Sequence, residues 1–323
     1  MTLAYLLSFF LWSVPVTADD GLPSVNELTP RQWLKKMQMA ATEQDYKGTF
    51  VFMRGAMSST MSVVHRFQNG IERELLKQLD GEMGEIIRNG AEVVCVFPDH
   101  RTVQLEQSKY SNSIVQTFAS FMPDQSEYEL SVMDDGRIVE RPCVQIHVAA
   151  MDEDRYSYRL WLDKETGLLL KSSLMDQNGK VLERLHYTEV EFPDSISESE
   201  LKGMNTGGVV THEMISDLSN GVKLRSDLMW TTGWSPKGYK KVNSDGASVM
   251  VYSDGLATYS IFIEELKDDA MPEGAVQVGA TIAYSYQRKV NSGQYNVTVM
   301  GEIPAMTAMK VAESVMVVPV PAH

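Results

Sequence analysis

The sequence predicts an α+β fold in which two antiparallel sheets follow one another along the chain, each served by a helix. Three observations carry this. Residues 155–192 hold three strand-like runs separated by turns at Gly167 and Gly179, the pattern of a β-meander. A stretch rich in serine, glycine and acid, 193–220, then interrupts the strand pattern before a second β-rich unit begins. Helix-start signals stand near both ends, at Thr29-Pro30 and at Pro304.

The meander sets the functional question. Tyr156, Tyr158, Leu160 and Leu162 alternate with Ser157, Arg159 and Trp161, so a two-residue period gathers the apolar side chains on one face. A one-faced antiparallel sheet needs a cover, and a helix, another protein or an acyl chain are the alternatives.

Along the chain, Leu3 to Val14 form an apolar run too short to span a bilayer, followed by Val16-Thr17-Ala18 with small residues where a secretory signal is cut. The expected division is a signal peptide over 1–18, an N-terminal domain over 19–192, a linker over 193–220 and a C-terminal domain over 221–323. The residue directly after the cleavage point is Asp19 rather than cysteine, which counts against a lipid anchor, and no later run approaches the length of a membrane span. A first helix over 30–44 is marked by Thr29 as cap, Gln32 closing a capping box, and Leu28 placed to staple onto Trp33. Trp33, Leu34, Met37, Ala40 and Ala41 fall on one side of it. Strands follow at 48–54, 62–70, 71–79 and 92–99, with Asn69-Gly70 and Asn89-Gly90 as hairpin turns. A second helix over 111–122 aligns Ile114, Val115, Phe118, Phe121 and Met122, either as core or as a movable plug for a hydrophobic cavity. Met53, Met57 and Met61, spaced around one hairpin, lend that cavity modest support.

In the second unit, 249–265 reads as a hairpin around Asp254-Gly255, and 276–288 with 294–302 as another around Asn291-Ser292-Gly293. A terminal helix opened by Pro304 is expected to bury Ala305, Ala308, Met309, Ala312 and Met316.

Charge is unevenly placed: 20 basic and 33 acidic residues precede Gly221, against 9 and 10 after it, so the first part is near −13 and the second near −1. Nucleic acid, a polyanion, is an unsuitable partner. Lys223, Arg225, Lys237, Lys240 and Lys241 form one local basic run, a solvated face or a docking face for an acidic peptide or lipid phosphate. The two cysteines, Cys95 and Cys143, both sit in strand-like runs; the alternatives are a disulfide suited to an oxidising compartment and two buried free thiols. No metal-ligand spacing, nucleophile elbow or phosphate loop is present, and no cofactor is expected. The pattern favours a binding protein, with an envelope hydrolase acting through dispersed residues such as His147 or His186 as the contrasting class.

The runs RYSYRLWLDKETGLLLKSSLMDQNGKVLE, MWTTGWSPKGYKKV (229–242), VYSDGLATYSIFIE (251–264) and GEIPAMTAMKVAESV (301–315) resemble the RseB/MucB family of periplasmic regulators of the sigma-E envelope-stress response. The meander alone is similar to lipoprotein carriers of the LolA and LolB type, which makes a periplasmic lipid carrier the other alternative. The resemblance implies an N-terminal unclosed antiparallel β-barrel wrapped around helices, and a smaller C-terminal sheet with a packed terminal helix. It implies binding to the periplasmic part of an RseA/MucA-like anti-sigma factor, protection of that partner from site-1 proteolysis, and release by lipopolysaccharide or another acylated ligand. On this sequence the expected cavity walls are Trp33, Phe50, Phe52, Val94, Val96, Phe118, Tyr156, Tyr158, Leu160 and Leu162, and the expected partner contacts are Lys223, Arg225, Lys240 and Lys241. A homo-oligomer is left open.

Overall fold

The computed structural model describes residues 28–97, 102–105, 118, 120–203, 210–212, 228–242, 249–266, 272–290 and 293–318. The expected signal peptide and most of the expected helix over 111–122 lie outside these residues.

Helix α1 (Pro30–Glu43) forms where its caps place it: Thr29 Oγ1 accepts from the Gln32 N–H at 3.3 Å, and Gln32 Oε1 accepts from the Thr29 N–H at 2.7 Å. Its buried side is Trp33, Leu34, Met37, Ala40 and Ala41, with Leu28 packed against the same cluster as Trp33.

Twelve strands make the large sheet: β1 (Tyr46–Arg54), β2 (Met57–Gln68), β3 (Ile71–Gln78), β4 (Glu85–Asn89), β5 (Glu92–Val96), β6 (Thr102–Leu105), β7 (Tyr128–Ile138), β8 (Arg141–Ala150), β9 (Ser157–Asp163), β10 (Leu169–Met175), β11 (Val181–Glu191) and β12 (Val210–His212). Their order is β12-β6-β5-β4-β3-β2-β1-β11-β10-β9-β8-β7, so the sheet is not closed, and β1 joins the two halves by pairing with both β2 and β11. Neighbours are antiparallel except β12, which runs parallel to β6. The predicted meander is β9-β10-β11. Asn69 (φ 55°) and Gly70 (φ 77°) both take the left-handed backbone of a tight hairpin turn between β2 and β3.

The smaller sheet has the order β14-β15-β16-β19-β18-β17, from β14 (Lys240–Lys241), β15 (Val249–Ser253), β16 (Thr258–Glu265), β17 (Gly274–Val278), β18 (Thr281–Val290) and β19 (Gly293–Gly301). Helix α2 (Ala305–Ser314) packs on it, and β13 (Met229–Thr232) pairs with β20 (Val315–Val318) beside the helix. The run 276–288, read as one strand, is the end of β17, a turn at Gly279-Ala280 and the start of β18. The terminal helix also differs from expectation. It buries Thr307, Ala308, Val311 and Ala312, and it ends before Met316, which is exposed on β20.

The first part of the expected linker is a strap on the large sheet. Ile196 and Leu201 bury against Leu75, and the Arg66 guanidinium donates to the Ile196 carbonyl at 2.9 Å. Glu198 pairs with Arg66 and Arg73, while Glu200 pairs with Lys47 at 2.7 Å. Ser197 caps a single turn by donating to Glu200, as its spacing suggests, and together Lys47 and Ser197 hold the Glu200 carboxyl down at about 2.

Candidate functional site

The interior of the large sheet gathers six of the expected cavity residues. Trp33 from α1, Phe118, Tyr156, and Tyr158, Leu160 and Leu162 from β9 join one buried cluster with Val144, Ile146 and Val148 of β8. Phe118 and Phe121 lie ring to ring at 5.6 Å, and Phe121 meets Tyr158 edge-on at 5.1 Å. Among the described residues, α1 and the Phe118–Phe121 pair pack onto this face of the sheet. A remaining void beside Phe118, bounded by Ala41, Leu168, Leu169, Leu185 and Tyr187, holds about 10 Å³, at the lower limit for one water.

The other cavity candidates lie elsewhere. Phe50 is buried beside Tyr187 in a neighbouring cluster, with Phe52 half-buried at its edge. On β5, Val93 and Val96 are buried and Val94 is half-buried, so the strict alternation expected of Val94 and Val96 breaks there. Cys95 and Cys143 are free thiols, on β5 and β8, which stand far apart in the sheet order. This corrects the disulfide alternative. Burial pushes the Cys143 thiol up to about 11, keeping it protonated and inert.

The described members of the basic run, Lys237, Lys240 and Lys241, do not share one face. Lys240 and Lys241 are consecutive on β14 and so project to opposite sides, with Lys240 exposed. Lys237 turns to the other domain, 3.3 Å from Glu127. Lys223 and Arg225 lie outside the described residues.

The densest polar arrangement joins the two sheets, and its centre is Arg155, 1% exposed. Arg155 Nε donates to Asp152 at 3.0 Å, Nη1 to Asp254 at 2.9 Å and Nη2 to the Lys237 carbonyl at 2.5 Å, with Glu127 at 3.5 Å from Nη2. The guanidinium sits between the Tyr128 and Tyr239 rings, 5.4 and 5.5 Å from their centroids. Tyr128 Oη adds a bond to Asp254 at 3.0 Å. Burial opposes charge on Arg155, but Asp152, Tyr128 and Asp254 outweigh it and hold its pKa above the ordinary value. Either side of it, Asp154 accepts from Thr307 at 3.0 Å and from Lys310 at 3.3 Å, and Tyr156 Oη donates to the Ile303 carbonyl at 3.1 Å. Residues 154, 155 and 156 thus bind the second domain in succession.

A second contact lies at the hairpin tips. Gly55 and Gly279, with φ of 60° and 61°, meet so closely that a Cβ on Gly279 would stand 2.5 Å from Arg54 Cγ and 2.8 Å from Glu183 Oε1. Glu183 accepts from the Ala280 N–H at 3.2 Å and pairs with Arg54 at 2.9 Å. Glu302 comes near enough that burial first, and Glu183 second, raise its pKa. Between these contacts lies a cleft of about 680 Å³, lined among others by Tyr156, Leu182, Gln277, Gly279, Pro304 and Lys310.

Sequence reasoning missed Arg155. The one local signal was a run of three acids closed by a single arginine, Asp152-Glu153-Asp154-Arg155, ahead of the apolar strand. His147 and His186, the candidates of the hydrolase alternative, lie on strands facing away from the apolar interior, with pKa lowered by burial and by neighbouring cations. Among the described residues no group of three or more His, Cys, Asp or Glu is placed to hold a metal, and no helix is long and apolar enough to cross a membrane.

Residues 29–205 match the MucB/RseB N-terminal domain and residues 225–316 the MucB/RseB C-terminal domain. The sigma factor AlgU regulatory protein MucB of Pseudomonas aeruginosa is 29% identical over 307 residues, 91% of this chain and 93% of MucB. The sigma-E factor regulatory protein RseB of Escherichia coli K12 is 26% identical over 294 residues, 87% of this chain and 89% of RseB. Among solved structures, MucB in complex with MucA(peri) superposes with a TM-score of 0.70 at 29% identity, covering 90% of this chain and 98% of that one. The crystal structure of MucB with no partner named gives 0.58 at 28% identity, covering 88% and 96%. With both of its halves matched in order by the family's two domains, the chain belongs to the MucB/RseB family.

Proposed function

We propose that this protein works in the periplasm as a negative regulator of a sigma-E-type stress response, by binding the periplasmic part of a transmembrane anti-sigma factor. The observation that carries the reading is the likeness of the whole two-domain arrangement to MucB bound to MucA(peri), at a TM-score of 0.70, against 0.58 for MucB with no partner named. The arrangement held by Arg155 is, on this reading, the one that grips the partner. The C-terminal domain supplies most of the grip, with Lys240 exposed at the edge of its sheet. Gripping the segment shields it from its initiating protease.

Release follows by linkage. An acylated ligand that inserts into the filled interior must displace Phe118, Phe121 or Tyr158, and it shifts the equilibrium only if it binds the partner-free arrangement better. Tyr156 belongs to that interior and also bonds to Ile303, and Arg155 precedes it, so a displaced β9 start loosens the junction. The role is regulatory and needs no catalytic group.

The test is calorimetric titration of residues 19–323 with the periplasmic segment of an anti-sigma factor and with a scrambled segment, each repeated with an acylated phosphoglycolipid. Binding of the native segment alone, weakened by the lipid, is expected. Equal heats for both segments contradict partner recognition, and a lipid without effect contradicts the release step.

A further inference from the structure

The face of the large sheet turned away from Trp33 and Leu160 carries a different pattern. Directly paired residues on neighbouring strands share a face, so the registers place His147, Arg159 and Arg184 in one row and Trp161, Lys171 and His186 in the next. Lys171 Nζ stands 4.4 Å from the centre of the Trp161 ring. Among the described residues no carboxylate pairs with Arg159, Lys171 or Arg184, and Arg184 Nε is buried with no hydrogen-bond partner. The local field is positive: burial lowers the pKa of both imidazoles, and Arg159 lowers His147 further, while Lys171 and Arg184 do so for His186. Glu129, on β7 at the margin, is the one acid acting against this at His147.

Uncompensated cations gathered across adjacent strands repel one another and cost the fold stability. They stand out further in a chain of net charge −14. We propose that this face docks the protein on the phosphate headgroups of an anionic bilayer surface. Guanidinium and ammonium groups bind phosphate oxygens, and a tryptophan beside them suits the boundary between headgroup and acyl chain. On this face Arg159 is exposed and Trp161, Lys171, Arg184 and both imidazoles are half-buried. Four strands, β8 to β11, set its groups over roughly 15 Å, the scale of neighbouring headgroups rather than of one enclosed anion. The protein's overall negative charge does not forbid the contact, because at physiological salt fields fade over about 8 Å and the nearest charges decide. The surface lies opposite the apolar interior and is separate from the partner grip, so it stands or falls independently of the regulatory reading.

Sedimentation of residues 19–323 with vesicles tests it. Vesicles containing phosphatidylglycerol are expected to bind the protein, increasingly weakly as salt rises, and vesicles of phosphatidylcholine alone are not. The triple variant R159Q/K171Q/R184Q should lose about 100-fold in affinity at low salt. The variant R31Q/K35Q/K202Q makes the same change of net charge at other exposed positions and should bind as the unmodified protein does. In the unmodified protein the His186 pKa, followed by NMR, should rise when phosphatidylglycerol vesicles are added. Equal loss in both triple variants, an unmoved His186, or tight binding of a polyglutamate peptide in place of vesicles overturns the proposal.

Discussion

On one side of Tyr156 the chain builds an apolar interior; on the other, at Arg155, it builds a charged junction. The interior buries Tyr158, Leu160 and Leu162 against α1 and the Phe118–Phe121 pair, and each of those side chains gains by leaving water. The junction buries a cation among Asp152, Asp254 and Glu127, where attraction prevails at Arg155 but must first offset the cost of taking every one of these charges out of water. Opening the interior exposes hydrocarbon, whereas opening the junction returns charged groups to water. The difference teaches that the two contacts resist opening for different reasons: the junction through its ion pairs, the interior through buried hydrocarbon.

The comparison can be broken most directly at Arg155. Arg155→Met leaves Asp254 and Glu127 buried without their cation, and it should cost about 3–5 kcal/mol of junction stability in chemical denaturation. It should leave the large sheet folded, as read by the near-ultraviolet signal of its tyrosines. A uniform collapse of both domains would mean that junction and interior are one cooperative unit.

Leu160→Ala probes the other side. Removing a fully buried leucine from β9 should cost about 3 kcal/mol if the interior is as tightly packed as its residual void suggests. A loss below about 1 kcal/mol would reveal slack sufficient for a ligand. Gly279→Ala should cost about 1–3 kcal/mol, because it combines left-handed backbone with a collision against Arg54 and Glu183. Small-angle scattering should show it spreading the two domains.

The smallest expected effect is that of pH at His65. This buried imidazole stacks on Tyr46 and contacts the Gln44 carbonyl at 2.8 Å and Glu72 at 3.3 Å. Burial opposes its charge, but Glu72, Glu74 and the Gln44 carbonyl prevail and raise its pKa. Its contribution to stability is therefore complete below the unfolded value near 6.5 and lost as pH rises through the raised folded value. Melting temperatures should fall across that window, and His65→Gln should flatten the dependence.

Much of the fold was legible because its signals are local. The capping box at Thr29, the Asn69-Gly70 turn and the alternation of Tyr158, Leu160 and Leu162 each depend on neighbours within a few residues. The short apolar run at 276–288 hid a turn because Gly279-Ala280 looks no different from strand sequence. The terminal helix was read in part: Ala308 and Ala312 of the Ala/Met stripe are buried, but Thr307 and Val311 rather than Met309 and Met316 complete the face on the sheet. Arg155 could not be read at all, since Asp254 lies 99 residues away and the Lys237 carbonyl 82. The same holds for the cationic face: each of Arg159, Lys171 and Arg184 is visible as the polar half of an alternating strand, but only the registers set them side by side.

The central claim is that the arrangement fixed at Arg155 is the one that holds the anti-sigma partner. Comparing the affinity of the unmodified protein and of Arg155→Met for the periplasmic segment, by calorimetry at one salt concentration, tests it most directly. The account predicts that the variant, with both domains still folded, binds at least about tenfold more weakly. Equal affinities would contradict it.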